Sequence, residues 1–366
     1  MATHGCDFAL RRETRIRLSC ALIVMSASGP HPVRITSLLF PVLGLVLLAF
    51  VLRETDMTQL RSHIEAVGWT TFGKICLLFL VYFAADVINW QAALPQVPRT
   101  PRWFGRLWLV RMIGDAYNNV TPTAALGGEP IKAWLMKRRY GVAWRDTGTG
   151  IVIARTSTMF ALIVFVAIGV TLAWRRPDLD STQQRLALAT LLIVVAGTAA
   201  IFLAQYFKLS TQVARALGAT RWGARLVRAI AAVEDIDRQL TGYYREHRYA
   251  LVVSIVAAWL AWVLGALEAW VILHALGANL SFADVWIMEA FVQSVRAASF
   301  FIPAALGTQE AAMLVMIHWL SGAPSVGIAT ALVRRARELL WIVASLLLSA
   351  AFAATPHQVG QLESDA

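Results

Sequence analysis

The chain is short of cysteine and of charge, and it carries no familiar catalytic signature. Its three cysteines, Cys6, Cys20 and Cys76, sit at no ligand spacing, and Cys76 lies inside an apolar run. Neither a disulfide framework nor a zinc site follows. No His-Glu-x-x-His, nucleophile elbow or phosphate-binding glycine loop occurs, so the chemistries those motifs mark have no foothold. Charged residues make up only 15% of the 366 positions, against about 25% in an average soluble domain. Apolar residues fill the gap, at 58% of the chain with a mean hydropathy of +0.60. A soluble globule has nowhere to hide so much apolar surface. The 33 Lys and Arg against 22 Asp and Glu leave a net charge of +11, which beside apolar spans points to cytoplasmic loops facing anionic lipid.

A helix crossing about 30 Å of hydrocarbon needs about 20 mainly apolar residues. Six stretches qualify: Ile35–Leu52, Thr70–Leu94, Thr147–Trp174, Leu186–Tyr206, Tyr249–Leu276 and Val326–Ala353. Two more are interrupted. Leu107–Gly128 holds Arg111, Asp115, Asn118, Asn119, Pro122 and Gly127-Gly128, and Val285–Leu320 breaks at Pro303 and Gly307. Each reads as a re-entrant hairpin with its tip at membrane depth. Basic residues cluster before the first span, on both flanks of the first hairpin (Arg99, Arg102 and Arg106, then Lys132, Lys137, Arg138, Arg139 and Arg145) and through 208–248. The positive-inside rule then places both termini in the cytoplasm and opens the second hairpin to the other side. Residues 209–244 have the apolar spacing of an interfacial helix, as do 57–67 in shorter form, with packing on the membrane domain an equal alternative. Trp69, Trp103, Trp108, Trp174, Trp222 and Trp286 near span ends read as interfacial anchors. Residues 1–34 read as a basic cytoplasmic tail, with a start at Met25 an alternative, and 354–366 as a second tail.

The two interrupted segments resemble each other. Pro122-Thr-Ala-Ala-Leu-Gly-Gly-Glu129 matches Pro303-Ala-Ala-Leu-Gly-Thr-Gln-Glu310, Asp86 and Glu268 precede those acids by 43 and 42 residues, and Gly141 and Gly322 each follow by 12. Arg155 falls 26 residues after its Glu, and Arg334 and Arg335 fall 24 and 25 after theirs. The expected fold is therefore an all-α polytopic membrane protein with six full spans and two broken hairpins. Repeat 1 covers about 70–206 and repeat 2 about 249–353 in opposite polarity, the layout of many transporters. Kinks in a packed bundle are the plainer alternative.

Charges inside the spans are costly and normally face a cavity or a partner. Arg334, Arg335, Arg337 and Glu338 fall within about 160° of helical arc. With Arg111, Arg155 and Arg296 they suggest a basic cavity for an anionic head group. The plainer alternative is that these arginines only neutralise the acids Asp86, Asp115, Glu129, Glu268, Glu289, Glu310 and Glu338. Glu129 and Glu310 also suit helix first turns, and Gln309 is placed to bond a head group or its own backbone. His274 and His318 are isolated and give no metal site.

The block from Asn119-x-x-Pro122 through Gly-Gly-Glu129, Lys132, Gly141 and Arg155 resembles the flippase-like family that includes the transmembrane part of lysylphosphatidylglycerol synthase. Gln293-x-x-Arg296 through Phe300-Phe301-Ile302-Pro303 to Gln309-Glu310, with Arg334-Arg335-Ala-Arg337-Glu338, is similar to its hopanoid-biosynthesis-associated branch. The resemblance implies a lipid-handling protein of the bacterial inner membrane, without cofactor or metal. It adds Asn119 to the candidate head-group residues. Only a short tail follows the last span, so the synthase's aminoacylation is not expected. The expected activity is movement or binding of an amphiphile, a hopanoid or an anionic or modified phospholipid, through the cavity. A lipid-modifying transferase using Glu129 or Glu310 as base, and a scaffold for lipid-biosynthesis enzymes, are the alternatives.

Overall fold

The computed structural model describes residues 65, 67–120, 127–176, 181–206, 240, 242–298, 308–321 and 324–354. Among them the regular structure is entirely helical. Nine long helices follow in order: α1 (Trp69–Ala92), α2 (Pro101–Val120), α3 (Gly128–Tyr140), α4 (Trp144–Trp174), α5 (Ser181–Tyr206), α6 (Arg248–Ala275), α7 (Phe282–Ala298), α8 (Thr308–Ser321) and α9 (Pro324–Ala354). Three of these, α1, α4 and α6, are long and apolar enough to cross a membrane; the 24 residues of α1 reach about 36 Å at 1.5 Å each. α5 and α9 have 26 and 31 residues. The expected first span, the hairpin tips at 121–126 and 299–307, and most of the expected interfacial helices lie outside the described residues.

The first hairpin starts earlier than the apolar pattern suggested. Pro101 opens α2, since its missing N–H is one the first turn leaves unbonded anyway. Thr100 caps the end, its Oγ1 accepting the Trp103 amide at 3.3 Å and its carbonyl the Phe104 amide at 2.9 Å. The returning arm α3 stops at Gly141, whose φ of +73° is a left-handed conformation that glycine alone adopts without steric cost. Between the arms the backbones nearly touch. A Cβ on Gly128 would lie 1.8 Å from the Gly114 carbonyl oxygen, and one on Gly114 would lie 2.4 Å from Lys132 Cγ. Small residues permit such close helix approach where lipid supplies no hydrophobic drive.

α1 and α6 form the most extensive helix contact among the described residues. α2 pairs with α3 and lies on α9, while α7 pairs with α8 and lies on α4. At the last contact Gly169 meets Ala290, leaving no room for a larger residue. A buried polar tie links three helices: Asn89 of α1 donates to Thr158 Oγ1 at 3.0 Å and accepts from Ser254 Oγ at 2.6 Å. With both ends of the amide bonded, the polar group belongs in an apolar setting at little cost. Trp69 and Trp174 are exposed near helix ends as expected of anchors, but Trp103 and Trp286 are buried. Trp103 packs against Tyr140 under Arg106, and Trp286 donates to the Phe165 carbonyl at 3.0 Å. Proximity to a span end thus marks depth along a helix but not which way the ring faces.

Candidate functional site

Most of the buried charged side chains of the described helices gather into two clusters, while Asp284 of α7 pairs with Arg176 just beyond α4. The first joins α1 to α4. Asp86 of α1 binds Arg111 of α2. Glu129, in the first turn of α3, takes Lys132 Nζ on Oε2 and Arg155 Nη2 on Oε1, both at 2.6 Å. Asn118 ties the arms together, donating to Glu129 Oε1 at 3.3 Å and accepting the Gly128 amide at 2.7 Å. Asp115 lies within electrostatic range of Arg111, Lys132 and Arg155.

The second cluster joins α6, α7 and α9. Arg334 reaches Glu289 Oε1 at 2.8 Å and donates to the Gly265 carbonyl at 3.1 Å. Arg337 reaches Glu268 Oε1 at 2.9 Å, with its guanidinium carbon 3.9 Å from the Phe79 ring centroid. Arg335 and Glu338, a turn apart on α9, are 3.4 Å from each other and more open than these pairs. They line a shallow surface cleft together with Gln309, Met313, Ala331 and Arg334.

One face of α1 connects the clusters. Cys76, Phe79, Tyr82 and Asp86 recur at spacings of three and four, which puts them on one side of a helix. Cys76 lies in electrostatic range of Arg337 and Glu268, and Phe79 carries Arg337. Tyr82 stacks on Phe79 with ring centroids 5.4 Å apart and lies in range of Asp86, Asp115, Arg111 and Arg296. Phe79 also meets Trp341 edge-on at 5.0 Å. The two clusters therefore sit at different levels of α1. The seven residues from Phe79 to Asp86 separate them by about 10 Å.

The structure brings Asp86, Arg111, Glu129 and Arg155 into one cluster and Glu268, Arg334, Arg335, Arg337 and Glu338 into the other, with Gln309 on the cleft wall. Arg296 is exposed in the last turn of α7, outside both sets of pairs. Asn119 and Glu310 lie on α2 and α8, but their side chains fall outside the described residues. Two corrections follow. Lys132, read above as a cytoplasmic-flank cation, is only 3% exposed and belongs to the first cluster; its i,i+3 spacing from Glu129 was the available signal. The cavity expected to be basic is instead charge-matched among the described side chains. Asp86, Asp115 and Glu129 stand with Arg111, Lys132 and Arg155, and Glu268, Glu289 and Glu338 with Arg334, Arg335 and Arg337. Burial supplies the reason, since an unpaired ion in low dielectric costs several kcal/mol. Asn118, Tyr82 and Phe79 had no place among the expected site residues, because nothing in local spacing reports contacts across helices.

The family model described as "Lysylphosphatidylglycerol synthase TM region" matches residues 35–346. A "UPF0104 membrane protein" of Methanothermobacter thermautotrophicus is 25% identical over 263 residues, covering 67% of this chain and 74% of that protein. No solved structure matches.

Proposed function

Because the chain belongs to the lysylphosphatidylglycerol synthase transmembrane-region family, we propose that this helical membrane protein is a lipid translocator. It passes an amphiphile's head group between two charge-matched stations while the tail stays in the bilayer. The observation that carries the reading is the arrangement on α1, where two ion-pair clusters at different levels are joined by the stacked Phe79 and Tyr82. A structural ion pair needs one neutralising partner. Two networks, each with an opening and joined by an aromatic step, provide a route.

The reading includes six crossings, both termini in the cytoplasm and two inverted hairpin repeats. Reciprocal packing supports the repeats: α2 with α3 and α7 with α8 form equivalent pairs, and each pair's first helix lies on the other repeat's partner, α9 or α4. In that orientation the Asp86 cluster falls in the cytoplasmic half and the Glu268 cluster in the opposite half. The protein performs no covalent chemistry in this scheme, and Glu129 is held by Lys132 and Arg155 rather than left to act as a base. A hopanoid with a polar head and a charged phospholipid both fit the class of cargo.

The test is reconstitution into liposomes carrying acyl-labelled fluorescent lipid, with a membrane-impermeant quencher outside. Protein should let the quencher reach inner-leaflet label faster than in protein-free liposomes, and Phe79→Ala with Tyr82→Ala should slow it. Folded protein that leaves exchange at the protein-free rate refutes translocation.

A further inference from the structure

We propose that Asp115 is a proton-binding carboxyl, and that the first station takes up one proton with each anionic head group it accepts. This rests on the translocator reading and adds to it the ion that drives the movement. Its basis is the difference among the three acids of the first cluster. Asp86 is bound by Arg111, and Glu129 by Lys132 and Arg155 at 2.6 Å each. Asp115 has the same three cations within electrostatic range. Among the described residues, however, it makes no ion pair or hydrogen bond with any of them. Each cation around it is already committed to another carboxylate.

Its place on α2 accounts for this. Asp115 lies four residues after Arg111 and three before Asn118, so the three share one side of the helix. Arg111 turns to Asp86 on α1, and Asn118 reaches across to Gly128 and Glu129 on α3. Lys132 is pressed against Gly114, with its ammonium on Glu129 and over the Trp90 ring. From α1 the Tyr82 phenol also faces Asp115, and Arg296 of α7 lies within range of Tyr82. α9 meets α2 at Ala116 through the apolar Ala336, Leu339, Ile342 and Leu346.

Charge counting gives the consequence. With Asp115 ionised, three carboxylates face three cations and the station is neutral. An anionic head group entering beside Arg155, whose side chain is 46% exposed, would leave a surplus negative charge where unpaired ions are expensive. Protonating Asp86 or Glu129 to remove that surplus would break an ion pair. Protonating Asp115 breaks none, and the carboxyl is half-buried rather than sealed, so water can deliver the proton. The carboxylate takes a proton from water as the anion enters and returns it to water as the anion leaves. A crossing that loads the station from one side and empties it to the other carries proton and anion together, with no net charge moved.

The test imposes a pH gradient on liposomes carrying acyl-labelled phosphoglycerol lipid in sodium-free buffer, and reads the leaflet distribution with the external quencher. Wild type should enrich the lipid on the alkaline side toward about tenfold per pH unit, the ratio that one coupled proton imposes, above any enrichment in protein-free liposomes. Folded Asp115→Asn, fixed in the neutral form, should still exchange lipid, without enrichment and at a rate that no longer follows pH. Asp115→Glu should keep the enrichment and move the midpoint of the rate's pH profile, the readout that stands if the Asn form does not fold. A merely structural carboxylate produces neither result. Exchange by wild type without enrichment overturns the proton coupling and leaves translocation standing. Enrichment that survives Asp115→Asn, loss of all exchange in that folded variant, or a midpoint unmoved by Asp115→Glu overturns the assignment to Asp115. If folded wild type exchanges no lipid, translocation itself falls and the coupling with it.

Discussion

Replacing Glu289 by Gln should damage the protein far more than the same change at Glu338, although both acids face arginines of α9. Glu289 and its partner Arg334 are 2.8 Å apart and nearly sealed from solvent. Glu289→Gln keeps the shape and removes the charge, leaving the Arg334 guanidinium with the Gly265 carbonyl as a neutral partner. Breaking a buried pair on one side costs about 3–5 kcal/mol, a shift of about 10²–10⁴-fold in the unfolding equilibrium at 1.36 kcal/mol per decade. Glu338 is one-third exposed and its nearest partner is 3.4 Å away, so Glu338→Gln should cost under about 1 kcal/mol. The assay is unfolding of the purified protein in mixed micelles, followed by circular dichroism. A double-mutant cycle completes it: Arg334→Gln with Glu289→Gln removes both charges and should recover much of the single-variant loss, because the penalty comes from the widowed ion. Equal losses for Glu289→Gln and Glu338→Gln, or a double variant as unstable as the sum of its parts, would refute the division into closed and open pairs.

Three further outcomes follow from the packing. Gly128→Ala puts a Cβ into the Gly114 carbonyl, so the hairpin arms must separate; a loss of about 1–3 kcal/mol should appear in the same assay, whereas Gly197→Ala, with open space around it, should change little. Asn89→Leu strands the buried Ser254 hydroxyl, while Thr158 keeps its bond to the Ala154 carbonyl, and should cost about 1–3 kcal/mol. Tyr243, before α6, donates to the Ala92 carbonyl at 3.0 Å, and burial pushes its phenol up to about 12. The folded state therefore holds this proton more tightly than an unfolded chain at about 10. The stabilisation is complete below pH 10 and lost as pH rises toward 12, and Tyr243→Phe should remove that part of the slope.

Apolar length located α1, α4 and α6, and the Pro- and Gly-bearing segments announced the hairpins whose arms are α2 with α3 and α7 with α8. Repeat spacing also points to Asp86, Glu129, Glu268 and the α9 arginines, all of which fall in the two clusters. What it missed depends on contacts between helices. Arg111 and Asp86 are 25 residues apart, and their meeting is fixed by how α2 lies on α1. Lys132 was assigned by its basic neighbours Lys137, Arg138 and Arg139, although its own turn of α3 is buried against Trp90 and Glu129. An apolar helix has a weak amphipathic signal because lipid and protein faces are both hydrophobic. Sequence therefore gives depth along such a helix more readily than direction around it. The same ambiguity explains why Trp103 reads as an anchor and packs as core.

The charge matching bears on how a translocator could turn over at all. A site of unpaired arginines would bind an anionic head group tightly, and release would have to restore several unpaired buried ions. Conduction requires sites favourable enough to enter and weak enough to leave. Where Arg335 already has Glu338, a charged head group exchanges one ion pair for another. At that pair the contact given up is worth a few tenths of a kcal/mol, instead of the several kcal/mol of an unmatched ion. Between stations, Phe79 already holds the Arg337 cation on its face, and Tyr82 stacks on its other neighbour side toward Asp86. The roughly 10 Å between the levels is thus spanned by aromatic rings already engaged by Arg337 and by each other, so a head group taking this step has to displace the Arg337 cation from Phe79 or part the stacked pair.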